Sequence, residues 1–544
     1  LEIGTGGYIA TNPPTGFYAS GSILRFNQGA SATYDVNAGD RTWSTTVIPQ
    51  NITVATGKVR VNDNRTATGN LLVSPNATIE LSAAIQLTIQ NALTNDGMLI
   101  LKSANETGTA TIITNGTVSG SGTTEVEQFV SSAAMGTTGR NWYISSPLSA
   151  ATSSTITSET GNGLVSWNGS AWIAAGTTMD VMKGYIARSP NGNKTIKFSG
   201  GSLNTGNQSV SNLPVGFNLV GNPYASYVDF AQATRTEVAS TIWYRSKSTG
   251  SYVFQTFNTV GSIGVNGGTN TIPPMQSFWI RTTAASNAFG FTNAMRSHQN
   301  QTIAANRLKA PAVDTQQLLR LEIANGTDTD ETVVYLNENA INAFDDYDSQ
   351  KLFNEEAGVP EIYTQAESTN LSINGLNSLQ LQTEIPLGFR TGLTDQQASY
   401  QLKATKLQNF DPSIEVVLID KFANNSEIVL TEGVAYSFTS EPVNTTQRFG
   451  LIFRTKSIIT GACCFNLPDN SVQVFKNKQH QLVLRCQHQL PEHTTLRIYG
   501  LSGQLIAQQR INATETVISN ALEKGIYIMQ LHSNGNVYQS KIIF

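Results

Sequence analysis

Between Asn51 and Leu101 the chain repeats one pattern, two apolar residues flanking a single residue: Ile52/Val54, Val59/Val61, Leu71/Val73, Ile79/Leu81, Leu87/Ile89 and Met98/Ile100. Such alternation puts both apolar side chains on one face of a short strand. Taken alternately, the pairs start at 52, 71 and 87 and at 59, 79 and 98, two interleaved series with a period of roughly 16 to 20 residues. A fixed period predicts a solenoid, because one turn of chain cannot bury its apolar face alone and stacked turns share a continuous core. We therefore expect a β-helix over residues 1–129, with Tyr8, Ile9, Phe17, Tyr18 and Ile23–Phe26 extending the stack. A meandering sandwich would explain short strands but not the period.

Past Phe129 aromatic residues enter and the strands lengthen, at Arg140–Ser145, Leu164–Trp167, Trp172, Tyr185–Arg188 and Thr195–Phe198. Asn168-Gly169 and Asn191-Gly192 lie between such runs, where a tight hairpin turn favours these residues. Further strands are expected at Gly216–Val220, Ile242–Arg245, Tyr252–Phe257 and Ser277–Arg281, with one short helix around Asp229–Glu237. These make a β-sandwich over 130–297. Residues 298–311 lack periodicity and end in Pro, which predicts a linker. A second sandwich over 312–456 begins with Leu318–Ile323 and Thr332–Leu336 paired across Asn325-Gly326, and continues at Leu371–Ile373, Tyr400–Ala404, Val416–Asp420 and Phe449–Arg454. A linker at 457–468 precedes a last module, 469–544, with alternation at Val472–Phe475, Leu482–Arg485, Leu496–Tyr499, Gly525–Leu531 and Val537–Ile543. Several β modules in tandem also suit the length, since 544 residues at about 100 to 200 per domain give three to five.

Composition narrows the partners. Charged residues are 13% of the chain and the net charge is −4, with no Lys/Arg stripe, so nothing electrostatic calls for nucleic acid or an anionic membrane. No apolar run reaches the ~20 residues of a membrane helix. Leu1 opens without Met or a signal peptide, which we read as a processed or truncated product. Cysteines occur only at Cys463, Cys464 and Cys486; the adjacent pair is poorly placed to bridge itself, and either member could reach Cys486. That scarcity agrees with export.

The last module resembles the type A C-terminal sorting domain of type IX secretion substrates. Arg497-Ile-Tyr-Gly-Leu-Ser-Gly-Gln-Leu-Ile506 is similar to that family's I-Y-D/N-L-x-G-x-x-V/L strand and turn, Leu522-Glu-Lys-Gly-Ile-Tyr-Ile-Met529 to its L-x-x-G-x-Y segment, and Lys541-Ile-Ile-Phe544 to its closing strand. Gly500 departs from the usual Asp or Asn, a change that a turn tolerates. The resemblance implies a secreted protein of the outer-membrane cell surface of a Gram-negative bacterium, its sorting domain recognised by the type IX translocon and its shuttle barrel and then either cleaved, with the passenger anchored to surface lipopolysaccharide, or retained. It assigns the sorting motif to Tyr499, Leu501, Gly503, Leu522, Gly525, Tyr527, Lys541, Ile542, Ile543 and Phe544. From the residues alone, Gly503 and Gly525 belong where the chain reverses or takes positive φ, and Tyr499, Tyr527, Leu501, Leu522 and Ile542 form the core face. Upstream, Gly216-Phe-Asn-Leu-Val-Gly-Asn-Pro-Tyr224 with Asp229-Phe230, Ile272-Pro-Pro-Met-Gln-Ser-Phe-Trp279 and Asn293-Ala-Met-Arg296 resemble a module of large adhesin-like surface proteins that carry this domain. Leu99–Thr111 ahead of Gly139–Tyr143, and Tyr347–Leu352 with Ile385–Phe389, have the same character.

No catalytic site is expected. Of five His, four (His480, His488, His493, His532) fall in the last module, leaving His298 alone for the passenger, whereas hydrolase triads usually need a His base. G-x-S-x-G, H-E-x-x-H and Walker loops do not occur. A polysaccharide-cleaving acid pair would need carboxylates on the repeats, which offer Asp63, Glu80 and Asp96 only. Asp328, Asp330 and Glu331, or Asp345, Asp346 and Asp348, could ligate calcium, though solvated turn carboxylates explain both groups and no cofactor is expected. Cys463, Cys464, Cys486 and His488 lack zinc spacing. Trp167, Trp172 and Trp243, with Tyr244 and Trp279, are candidates for stacking on glycans, the bland alternative being core. The function expected is an adhesin-like or structural passenger. Two rivals are a carbohydrate-binding part of a larger polysaccharide-acting protein, and an accessory component of the outer-membrane secretion or gliding machinery.

Overall fold

The computed structural model describes residues 1–105, 107–130, 140–161, 163–189, 193–246, 252–298, 315–354, 357–456, 472–477, 481–486, 494–500, 503–511, 513–518, 522, 525–533 and 536–543. Strands make up 53% and helices 3%, so the chain is all-β as expected. Its described residues fall into two compact units, Leu1–Phe410 with Val416–Phe453, and Asp411–Glu415 with Arg454–Phe544.

The repeat region pairs in parallel on three ladders. One runs through Glu2–Gly4, Ile23–Asn27, the first half of Asn51–Val61, Leu71–Val73, Leu93–Asn95 and Val118–Ser119. The next takes Thr33–Val36, the second half of Asn51–Val61, Ala77–Leu81, Met98–Leu101 and Thr123–Val130. The third takes Arg65–Ala67, Gln86–Ile89 and Thr111–Thr114. Inward residues such as Val54, Val59, Leu71, Ile79, Leu87, Leu99 and Leu101 are fully buried. Neighbouring segments lie so close that some glycines leave no room for a Cβ: one on Gly97 would sit 2.3 Å from the Ala77 carbonyl oxygen, and one on Gly122 would sit 2.2 Å from that of Gly97.

Two details of the expected pattern are corrected. Leu87/Ile89 does not continue the series of Ile52 and Leu71; that place belongs to Leu93, and Leu87 pairs with Arg65 and Ile112. The third ladder was hidden because Arg65-Thr-Ala67 carries no bulky apolar pair. Within Met98-Leu-Ile-Leu101 the buried residues are Leu99 and Leu101, with Leu99 opposite Ile79; four successive apolar residues conceal their own phase. The N-terminal extension holds at Ile23–Phe26, but Tyr8 and Phe17 are exposed.

Thr123–Val130 closes the second ladder and pairs antiparallel with Lys194–Ser199 on its other edge. One apolar cluster consequently runs from Ile3 through to Met275. Residues 140–297 form short antiparallel sheets, the largest ordering Gly216–Gly221, Ser277–Thr282, Thr241–Ser246, Val253–Asn258 and Ile263–Val265. The Asn168-Gly169 hairpin forms, pairing Val165–Trp167 with Trp172–Ala174. Asn191-Gly192 lies outside the described residues, and its flanking strands pair elsewhere, Tyr185–Ser189 with Arg140–Ile144 and Lys194–Ser199 with Thr123–Val130. In place of a helix at Asp229–Glu237 there is a single 3-10 turn, Phe230–Gln232, capped by Asp229, and then the strand Thr234–Thr236. The α-helix lies at Ser153–Thr160, where three Ser and three Thr gave no helical signal.

Residues 318–455 form one hydrogen-bonded sheet of eleven strands, not the two sheets of a sandwich. Leu318–Ala324 and Thr329–Leu336 pair across Asn325-Gly326 as expected. The sheet curls until distant strands face each other: the Phe389 ring, on Glu384–Arg390, lies 5.3 Å from Phe438 on Ala435–Ser440, with Tyr400 and Phe449 beside them.

Candidate export module and passenger residues

The terminal module has two sheets. Val472–Lys476, Leu482–Cys486 and Glu515–Ile518 make one; Leu505–Arg510, Thr495–Gly500, Ile526–Ser533 and Asn536–Ile543, in that order, make the other. Leu482, Leu484, Cys486, Leu496, Ile498, Met529 and Leu531 fill the space between, with Leu522 and Tyr527 packed at the margin. The expected core face is thus right for Leu522 and Tyr527 and wrong for Tyr499. Ile498 pairs with Met529 on the buried side, so Tyr499, one residue on, faces away with Ile528 and the 46% exposed Leu505. Sequence reading missed this outer apolar strip, because Ile498 and Tyr499 are equally suited to a core.

Gly503 has φ +79° and closes the turn through its N–H to the Gly500 carbonyl, 2.9 Å. Gly525 takes no positive φ; a Cβ there would only touch the Tyr527 ring at 3.4 Å. Leu501 and Phe544 lie outside the described residues, as do Cys463, Cys464, His480, His488 and His493. Burial pushes the Cys486 thiol up. Lys541, Ile542 and Ile543 lie on the edge strand Asn536–Ile543, in register with Ile528, Tyr527 and Ile526. An edge strand offers its outer N–H and C=O groups to a further strand.

In the passenger, the glycan candidates pack on one another. Trp243 is 1% exposed, and its indole N–H donates to the Gln350 carbonyl at 2.8 Å. Trp279 and Tyr244 are likewise buried. Trp167 and Trp172 are half-buried and meet Trp279 edge to face at 5.7 and 5.8 Å. Stacking on a sugar needs an open ring face, so Trp243 is corrected to core.

Four of the calcium candidates, Asp330, Glu331, Asp345 and Asp348, have carboxylate oxygens engaged by cations or N–H donors. Asp330 accepts from Lys351 at 2.5 Å, from the Asn266 amide at 2.8 Å and from the Ile362 N–H at 2.8 Å. Glu331 accepts from Arg320 and the Asn266 N–H, and Asp328 lies in the Asn325-Gly326 turn. Asp345 accepts the Ile341 and Tyr347 N–H groups; Asp346 is exposed. Asp348 accepts those of Asp345 and Gly375, and burial raises its carboxyl to about 7. His298 is no linker residue. Its ring nitrogens lie 2.9 Å from Thr88 Oγ1 and 2.8 Å from Thr111 Oγ1 on the third ladder, and burial, then the Arg296 charge, lowers its pKa to about 4.

Residues 478–544 match the secretion system C-terminal sorting domain, a span that holds every strand of the two sheets except Val472–Lys476. The protein is accordingly a type IX secretion substrate, exported to the cell surface or outer membrane of a Gram-negative bacterium. None of the curated proteins matches it. Residues 31–453, most of the passenger, match the family described as domain of unknown function DUF8693, and the chain belongs to that family.

Proposed function

We propose that the passenger is a non-enzymatic surface body, structural or adhesive, delivered by its terminal module. The three parallel ladders support reading its first part as a β-helix, a shape that gives length and a long lateral surface. The observation carrying the proposal is the consumption of chemistry-bearing side chains by internal contacts: His298, Trp243 and Asp330 all point into packed or hydrogen-bonded surroundings. Recognition by the secretion machinery would use the edge strand Asn536–Ile543 and the outer strip of Tyr499, Leu505 and Ile528.

Deleting residues 522–544 should leave the passenger inside the cell, and fusing residues 469–544 to a periplasmic reporter should send the reporter out. Surface display of the truncated protein at wild-type levels would overturn the assignment of export to this module. A glycan-binding reading keeps one support, an open polar cavity of about 380 Å3 lined by Tyr8, Thr33, Asp35, Asp40 and Arg41, with Tyr8 70% exposed at its rim. Loss of glycan-array binding in Tyr8→Ala would favour it; binding unchanged by that substitution would count against it.

A further inference from the structure

Four ionisable side chains meet in the interior of the eleven-stranded sheet. Lys351 and Asp330 expose 3% and 1% of their side chains and touch at 2.5 Å. Glu361 and Arg390, cross-strand partners, meet at 3.1 Å. Glu361 is near enough to both Lys351 and Asp330 to feel their charges, and burial, the largest influence on it, pushes its carboxyl up. A surface role asks nothing of so dry a cluster, and an ion pair of this kind gains little over an apolar core of the same shape.

The geometry points to an intramolecular amide bond between Lys351 Nζ and Asp330 Cγ, formed by the chain on itself. Folding brings the two groups into contact, at the effective concentration that drives intramolecular reactions. Passing one proton from the ammonium to Asp330 Oδ2 leaves an amine against a carboxylic acid, the reactants of a condensation. Nζ then attacks Cγ. The developing oxyanion, Oδ1, already has a donor in the Asn266 side-chain amide at 2.8 Å, while the Ile362 N–H, 2.8 Å from Oδ2, holds the oxygen that departs. Glu361, next to Ile362 in sequence, is the proton carrier. Its carboxylic acid gives a proton to the departing hydroxyl, which leaves as water, and takes one from the nitrogen, ending as it began. One C–N bond forms, one C–O bond breaks, one water is released, and nothing is oxidised or reduced.

The contacts around Glu361 suit that task in part and oppose it in part: the Asn354 N–H at 2.7 Å fixes one carboxyl oxygen, while Arg390 on the other favours the ionised form. The bond would tie strand Thr329–Leu336 to the segment just after Ser349–Gln350. Residues 1–462 contain no cysteine, so a disulfide cannot supply a covalent tie in this part of the chain.

The test is the intact mass of the full chain recovered from the medium or cell surface. One water less than the sequence mass is expected, with a branched tryptic peptide joining the segments around Asp330 and Lys351. Lys351→Arg and Asp330→Ala should each restore the full mass, and Glu361→Gln should leave most molecules unlinked. A wild-type mass equal to that of the sequence overturns the proposal without recourse to any variant. So does a water loss that survives Lys351→Arg or maps to another peptide.

Discussion

The ladder region and the eleven-stranded sheet use the same few charged residues in opposite ways. On the second ladder, charges on three neighbouring strands stand outward and pair between strands, Lys58 with Glu80 at 2.5 Å, Arg60 with Glu80 at 3.0 Å and with Asp35 at 3.2 Å, while the buried charges of this region, Arg65 and Glu127, pair with the more exposed Asp63 and Lys102. Burial alone would raise the Glu80 carboxyl, but the two cations outweigh it and hold it below the usual range. In the sheet, Arg448 and Asp420 pair at 3.0 Å with 7% and 0% of their side chains exposed. Asp420 also accepts from the Tyr436 hydroxyl and the Phe422 N–H. The contrast follows from topology. A ladder with one buried face keeps every second residue outside, whereas a sheet that curls on itself encloses polar residues on both faces and must give them partners.

The contrast can be broken at its strongest point by Arg448→Met. Asp420 would be left as a buried charge with neutral donors only, and a loss of about 3–5 kcal/mol is expected, read as a shift in urea midpoint; a loss below ~1 kcal/mol would show that the pair is not enclosed. Next comes the phase of the second ladder. Leu99→Ala should cost about 2–5 kcal/mol and Met98→Ala well under half of that, and equal losses would return the register to the one the sequence suggested.

The third prediction concerns pH. His298 is neutral when folded, with its pKa lowered to about 4, against about 6.5 unfolded. The unfolded chain binds the extra proton first, so this contribution is intact above about 6.5 and is lost as pH falls toward 4, on the order of 1–2 kcal/mol after discounting partial exposure. His298→Gln should flatten urea midpoints measured between pH 7 and 4.5. Asp348 works against it: its carboxyl, raised to about 7, favours the fold at low pH and loses that advantage as pH rises through 7. The smallest effect is expected for Arg60→Ala, about 0–1 kcal/mol and diminished by salt. A loss comparable to that of Arg448→Met would end the distinction between the two regions.

How far the chain could be read depended on how local each signal was. Asn168-Gly169 and Asn325-Gly326 announced their hairpins because a turn is fixed by adjacent residues. Asn191-Gly192 misled because its flanking strands pair with partners well over 40 residues away, as with Asn141 and Arg188. Trp243 offered sugar stacking on paper, and only the approach of Gln350, far along the chain, showed its ring to be enclosed. Asp330 read as a solvated turn carboxylate that could also ligate calcium; Lys351 and Asn266, 21 and 64 residues away, show it buried and bonded instead.

The amino-acid order by itself determined the β character, the short strands of the first part and the sorting module, since alternation and turn residues act over a few neighbours. Tertiary structure alone decided the third ladder, the face on which Tyr499 lies, and which charges are dry. Those depend on which distant strand arrives alongside, and a one-residue slip in pairing exchanges the buried side chains for the exposed ones.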